Sequence, residues 1–525
     1  MRRRWFWLVG FAVLWGGACA PKAKLQLTLF YPYGDDGKAA YAQIKGFRIK
    51  VSGASLTDGP VSADFDTTSG LSASVLGDVK CGKEKAEQLD LQVHGLDDAG
   101  KVVAVGRQTI LNPCGAKRDL SVFVAPVEVF SSLTKYEEGA TAPEQMLKER
   151  AGHQMRQLSD GRLLISGGFT FNDQGGVGGV SNRIEIFDPE TGRITDGIPM
   201  SEPRAFHSIT VSQNTVLIAG GLKFDEATQK LVSVRSVDIF ELTEEGLTKK
   251  SSFEMAEPKG LHSALITPSM NHILIFGGIH YQADGSVSMA KKWEIFDIKG
   301  SPIGTGDIPL DQQRAWHSAT LLGDGRPFFA GGMKVNAQGD LEALSSVLSL
   351  QYSSDDATVT LIPLPTPLKA ARAAHTATKL LDGQIVIAGG MVPEAKDFLR
   401  PKSVVGSIQM FTALGEENAQ YNGTLKQSRA FHSAHLLEDG RLLIYGGSTG
   451  ATSLADRTEI YTPEGLGLSP EPLLVVQRKD RFLHAGTVLL NGALVVLGGA
   501  TLNPEGPSPF LALSRGEVFL PRPKP

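Results

Sequence analysis

The chain has 525 residues, 42% of them hydrophobic, with 59 glycines and 28 prolines. This length and turn-rich composition suit a globular, mainly β protein with two or more domains and exclude a disordered chain. The formal net charge of −4 excludes the basic footprint of a nucleic-acid binder.

The N-terminus reads as an export signal. Arg2, Arg3 and Arg4 form a charged region, and Trp5 to Trp15 form an apolar run of 11 residues, too short for the ~20 needed to span a bilayer. Gly16, Gly17 and Ala18 supply small residues before Cys19. This placement resembles the lipobox of bacterial lipoproteins, although Gly16 stands where that box usually has leucine. The resemblance implies a signal peptide over 1–18, a lipid on Cys19 and a short tether over 19–24. Ala20 after the cysteine implies the outer membrane of a Gram-negative envelope. Without the three leader arginines, 49 basic residues face 56 acidic ones, a balance of −7. Two cysteines then remain, Cys81 and Cys114, in an oxidising setting. A disulfide between them is the economical expectation, worth about 3–4 kcal/mol by chain entropy; two unpaired buried thiols are the alternative.

Residues 25–125 alternate with a period of two. Leu25, Leu27 and Leu29 share one face; Phe47, Ile49 and Val51 alternate with Arg48, Lys50 and Ser52; Leu89, Leu91 and Val93 alternate with Asp90, Gln92 and His94. Leu120, Val122 and Val124 form a last strand. Half-buried antiparallel strands have this signature. Turns are expected at Gly34–Gly37, Thr57–Gly59 and Asp97–Gly100. The expectation is a small, immunoglobulin-like β-sandwich with His94 on its surface. Residues 131–149 read as a short connector.

From 126 to 525 one pattern recurs seven times. A basic residue stands three positions before a histidine: Arg150 and His153, Arg204 and His207, Lys259 and His262, Arg314 and His317, Arg372 and His375, Arg429 and His432, Arg481 and His484. Neighbouring histidines are 54, 55, 55, 58, 57 and 52 residues apart, a period that marks a stack of repeated units. After each histidine come a short strand, usually an Asp-Gly or Asn-Gly hairpin turn, and an apolar strand closed by two glycines. The pairs are Gly167 and Gly168, Gly220 and Gly221, Gly277 and Gly278, Gly331 and Gly332, Gly389 and Gly390, Gly446 and Gly447, Gly498 and Gly499. A third strand usually ends in an aromatic, as in Ile184-Glu-Ile-Phe187, and a weaker fourth segment leads to the next basic residue.

Together these features resemble the kelch family, of which the galactose oxidase central domain is an example, but without the tryptophan usual in the fourth strand. The resemblance implies an all-β, seven-bladed kelch-like β-propeller over 126–525, closed by a strand from 126–149. It brings copper-radical oxidases into view, but these need a propeller cysteine, and none follows Cys114. Sialic acid mutarotases, which also use kelch propellers, leave sugar chemistry open. A basic residue and a histidine repeated in every unit read as a hydrogen-bonding device between blades rather than as metal ligands. No cofactor or metal is expected. His280, in a loop, is the one further histidine of interest.

Specificity is expected in the segments after Gly-Gly: 169–183, 222–236, 279–292, 333–346, 391–407, 448–457 and 500–515, including Phe398-Leu-Arg-Pro-Lys402. The functional expectation is a non-enzymatic envelope lipoprotein that binds a protein or glycan through those loops. A carbohydrate-active enzyme, such as an isomerase, and a purely structural envelope component are the alternatives.

Overall fold

The computed structural model describes residues 24–32, 41–53, 61–66, 88–111, 117–137, 142–243, 245–267, 272–353, 358–465 and 467–523. Cys19, Cys81 and Cys114, and the turns expected at 34–37 and 57–59, lie outside the described residues.

The expected fold class, a seven-bladed kelch-like β-propeller behind an immunoglobulin-like sandwich, needs correcting in its parts. The described residues form separate small sheets: seven of four strands, eight of two strands and one of six. No backbone ladder runs from one four-stranded sheet to the next. What joins them is side-chain packing and single hydrogen bonds.

The first correction concerns the N-terminal region. Its described strands form one sheet, not two. They are β1 (Lys24–Phe30), β2 (Gly46–Ser52), β3 (Val61–Asp66), β4 (Gln88–Leu96), β5 (Val102–Leu111) and β6 (Lys117–Pro126), in the order β1-β6-β5-β4-β2-β3. The β1–β6 pair is parallel and the other pairs are antiparallel. Leu27, Phe47, Ile49, Leu91, Val93 and Val122 pack together on one face. The other face meets the repeats, so the polar phase of β4 is covered at its end. His94 is therefore buried, not a surface residue.

The second correction concerns the repeat unit. Each unit is a four-stranded antiparallel sheet plus a two-stranded hairpin after Gly-Gly. The four-stranded sheets span 154–196, 208–254, 263–307, 318–363, 376–424 and 433–476 for units one to six. Unit seven takes three strands from 485–519, and its fourth is β7 (Phe130–Ser132), which pairs antiparallel with Gly516–Phe519.

Local chemistry explains the first hairpin of each unit. In five copies the glycine of Asp-Gly or Asn-Gly has positive φ, as Gly161 does at 89°. The aspartate or asparagine before it does not, so the turn is not the two-residue type in which both central residues have positive φ. Leu158 N–H donates to the Arg162 carbonyl, and Gly161 N–H to that of Leu158. This is a three-residue loop ending in a left-handed glycine. Asp160 Oδ1 accepts the Arg162 N–H at 3.0 Å and fixes the bend.

The units pack in chain order. Apolar clusters lie between one and two (Leu164, Ile186, Ile218, Phe240), between two and three (Leu217, Ile239, Ile275, Phe296), and so on to six and seven. A further cluster joins unit seven to unit one and to the N-terminal sheet: Leu497 and Val518, Leu163 and Phe187, Val105 and Phe123. The first strand of unit seven touches that of unit one.

Candidate functional site

The seven basic residues and five of their histidines are buried, while the burial of His262 and His484 is partial. In five units the basic side chain meets a carboxylate on its own third strand. Arg150 pairs with Glu185 at 2.7 Å, Arg204 with Asp238 at 3.1 Å, Lys259 with Glu294 at 2.9 Å, Arg429 with Glu459 at 2.6 Å and Arg481 with Glu517 at 2.6 Å. In units four and five that third-strand position holds Leu348 and Gln409. Among the described residues Arg314 and Arg372 have no carboxylate partner. Arg314 donates to the Gly331 and Ser346 carbonyls and the Ser346 hydroxyl; Arg372 donates to the Gly389 and Ser407 carbonyls and the Ser407 hydroxyl. Burial pushes both guanidinium groups down to about 10.

The histidines reach across unit boundaries. Nε2 of His262 shares a hydrogen bond with Ser208 at 2.9 Å, and His317 with Ser263, His375 with Ser318 and His484 with Ser433 at 2.8 Å. His432 meets Thr376 at 3.0 Å. Each of these hydroxyls directly succeeds the histidine of the preceding unit. His207 uses Ser166 instead, at 2.7 Å. At the junction of unit seven with unit one, the residue after His484 is Ala485, and His153 Nε2 has no partner. Burial, reinforced by the neighbouring basic side chain, pushes His153, His262 and His432 down to about 3. It holds His207, His317, His375 and His484 well below the ordinary imidazole range. These imidazoles are neutral and structural.

Two backbone circuits accompany them. The second glycine of each pair donates to the carbonyl of the next unit's basic residue, from Gly168 to Arg204 at 3.0 Å through to Gly499 to Arg150 at 3.0 Å. The residue two after each basic residue lies in the left-handed region: Gly152, Phe206, Leu261, Trp316, Ala374, Phe431 and Leu483, with φ between 50° and 61°. Each donates to its predecessor's carbonyl, and Gly152 donates to Leu483 at 2.9 Å. The circuit returns to its start.

This geometry overturns the expected binding loops. The segments after Gly-Gly are paired hairpins, such as Leu222–Asp225 with Lys230–Ser233. Phe169, Leu222, Ile279, Met333, Met391 and Ala500 at their bases are buried in one apolar cluster with Phe206, Phe431 and Phe482. Phe398, expected in a binding loop, is 4% exposed and packs on Phe206, Trp316 and Tyr281 with ring centroids 5.5, 5.6 and 6.0 Å apart. The loop-borne mechanism has no basis where Phe398 and the apolar residues at the hairpin bases are already consumed by packing. His280 lies in one of these hairpins, and burial lowers its pKa.

No group of three or more His, Cys, Asp or Glu side chains among the described residues could hold a metal ion. A cavity of about 220 Å³ lies where β5 meets unit one and unit seven. Sequence reasoning missed three recurring positions. They are the third-strand carboxylate, visible as the second residue of Ile184-Glu-Ile-Phe187; the hydroxyl that follows five of the seven histidines; and the left-handed residue before each histidine.

No family model matches the chain. It is 27% identical to Beta-scruin of Limulus polyphemus over 34% of the chain and 19% of that protein. Alpha-scruin of the same organism is 25% identical over 35% of the chain and 19% of that protein. The F-box/kelch-repeat protein At1g51550 of Arabidopsis thaliana is 24% identical over 52% of the chain and 58% of that protein. The chain thus spans about a fifth of the scruins' length. The solved structure titled "Structure of YjhT" is 14% identical, covers 62% of this chain and 98% of that one, and has a TM-score of 0.45. The expected kelch and galactose oxidase-like membership is corrected to a weak, partial resemblance to kelch-repeat proteins. No helix of the described residues is long and apolar enough to cross a membrane.

Proposed function

We propose that the chain is a non-catalytic platform held close to a membrane by lipid on Cys19. Support comes from the shortness of the tether and the rigidity of the body it would hold. The first described strand, β1, begins at Lys24 and is paired along its length with β6. Five residues reach at most about 18 Å. The N-terminal sheet is in turn welded to the repeats. Val105, Phe123 and Ala125 share a core with units one and seven. Buried Arg107 meets Glu438 of unit six at 2.8 Å. Asn491 of unit seven donates to the Arg107 carbonyl at 3.0 Å. A lipid at residue 19 would fix the height of the whole body, not of a loose domain. The buried basic and histidine side chains are committed to the frame, which leaves the surface for partners at the envelope.

The test compares wild type with Cys19→Ala after labelling with a palmitate analogue and separating membrane from soluble fractions. Label and membrane recovery in wild type, both lost in the variant, are the expected result. Equal label, or equal membrane recovery, would end the proposal.

A further inference from the structure

The cavity at the three-way junction is lined by β5 (Gln108, Thr109), by two turns of unit one and by one turn of unit seven. We propose that it binds a single sugar ring, either free or at the end of a glycan.

Four observations support this. First, the volume of about 220 Å³ is below the ~300–1,000 Å³ of drug-sized pockets, which leaves room for one ring. Second, the lining mixes polar groups with an apolar wall. Gln157, Asp160, Arg162 and Asp188 share the lining with Pro189, Leu489 and Leu490. Leu490 is 47% exposed, a hydrophobic side chain left open beside polar ones. A sugar presents both kinds of surface, hydroxyls at its rim and C–H groups on its face.

Third, the polar groups retain hydrogen-bonding capacity. Gln157 donates from Nε2 to the Gly161 carbonyl at 3.1 Å, which leaves its Oε1 as an acceptor. Arg162 meets Asp160 through Nε and Nη2 at 2.7 and 2.6 Å, which leaves Nη1 as a donor. Asp188 accepts the Glu190 N–H and the Thr191 hydroxyl at 2.8 and 2.9 Å, and each carboxylate oxygen can accept again. Fourth, Asp160, Asp188 and Glu190 do not converge on a point that could hold a metal ion. Spread acceptors suit separate hydroxyls better than one cation. The site is also held rigidly, because its three walls belong to elements that share one core. A bound ring would bridge the N-terminal sheet, unit one and unit seven.

The experiment titrates the whole mature chain with a panel of free hexoses and N-acetylhexosamines and with their methyl glycosides, read by saturation-transfer NMR and by thermal shift. Saturable binding by at least one member is expected, with a rise in Tm. Gln157→Leu and Arg162→Met each remove one neutral or charged hydrogen bond and should weaken binding about five- to tenfold, with the thermal shift read against each free variant's own Tm. Binding of the methyl glycoside as well as the free sugar identifies a glycan terminus; binding of the free sugar alone identifies a soluble one. If no member binds saturably, or if both variants bind as wild type does, the proposal fails. The result does not depend on Cys19, so it stands or falls separately from the membrane-held platform.

Discussion

The junction between units seven and one differs from the other six. At those six, a histidine reaches back to a hydroxyl of the preceding unit. At the seventh, Ala485 offers no hydroxyl and His153 Nε2 is unpaired. The same junction has two features the others lack. Its fourth strand, β7, comes from the opposite end of the repeat region, and the N-terminal sheet packs across it through Val105 and Phe123. A covalent clasp and an added apolar layer thus stand where a polar link is missing. Junctions inside a repeat can rely on chain continuity, whereas the meeting of first and last units needs its own fastening.

The largest expected effect is that of acid, and it acts at all seven junctions. The folded state holds these histidines neutral, at about 3 for three of them, whereas an unfolded imidazole titrates near 6.5. Between those values the unfolded chain binds more protons, so stability falls as pH drops below about 6.5 and levels off near 3. Each such histidine costs about 2 kcal/mol at pH 5. Those three together cost about 6 kcal/mol, against about 5–15 kcal/mol for the whole stability of a typical domain, and the other four act in the same direction. Thermal melts from pH 7 to 4 should show a steep loss of Tm. A flat profile would mean that the imidazoles are not held neutral. Next in size is Phe123→Ala, which should cost about 3–5 kcal/mol. If the N-terminal sheet fastens the seventh junction, hydrogen exchange in this variant should rise first in Gln154–Gln157 and Ala485–Val488. Equal protection of those strands and of Thr376–Lys379 would dissolve the comparison.

The frame was legible in the sequence where one residue type answers one backbone demand. Gly167 and Gly168 both need positive φ, and no other residue adopts it as readily, so the pairs mark every unit. The carboxylate partners were legible in principle but unreadable alone, because Glu185 and Glu459 sit in strands that look like ordinary alternation. His94 was misread for a related reason. Period-two patterning reports which phase is polar, but not whether a second body covers it. The hairpins after Gly-Gly were misread as free surface because their sequences vary. Variation there reflects the different ways Phe169, Leu222, Met333 and Phe398 fill one shared cluster. The single six-stranded sheet was out of reach, since the parallel β1–β6 pairing joins segments almost a hundred residues apart.

The smallest effects probe the histidine link itself. Ser318→Ala removes the partner of His375 while both groups are buried, with Ser318 8% exposed. An imidazole left unpaired should cost about 1–3 kcal/mol. Ala485→Ser makes the reverse change at the seventh junction. Ala485 occupies the position that Ser208, Ser263, Ser318 and Ser433 hold elsewhere, directly after a motif histidine and at the start of a first strand. A hydroxyl there meets an acceptor that is already buried and already desolvated, so only the serine's own desolvation opposes the new bond. The variant should gain about 0.5–1.5 kcal/mol, seen as a small rise in Tm at pH 7. That gain should vanish in the double variant with His153→Phe, because the hydroxyl then has nothing to meet. A gain that survives His153→Phe would show that serine acts through the backbone of its strand and not through the junction.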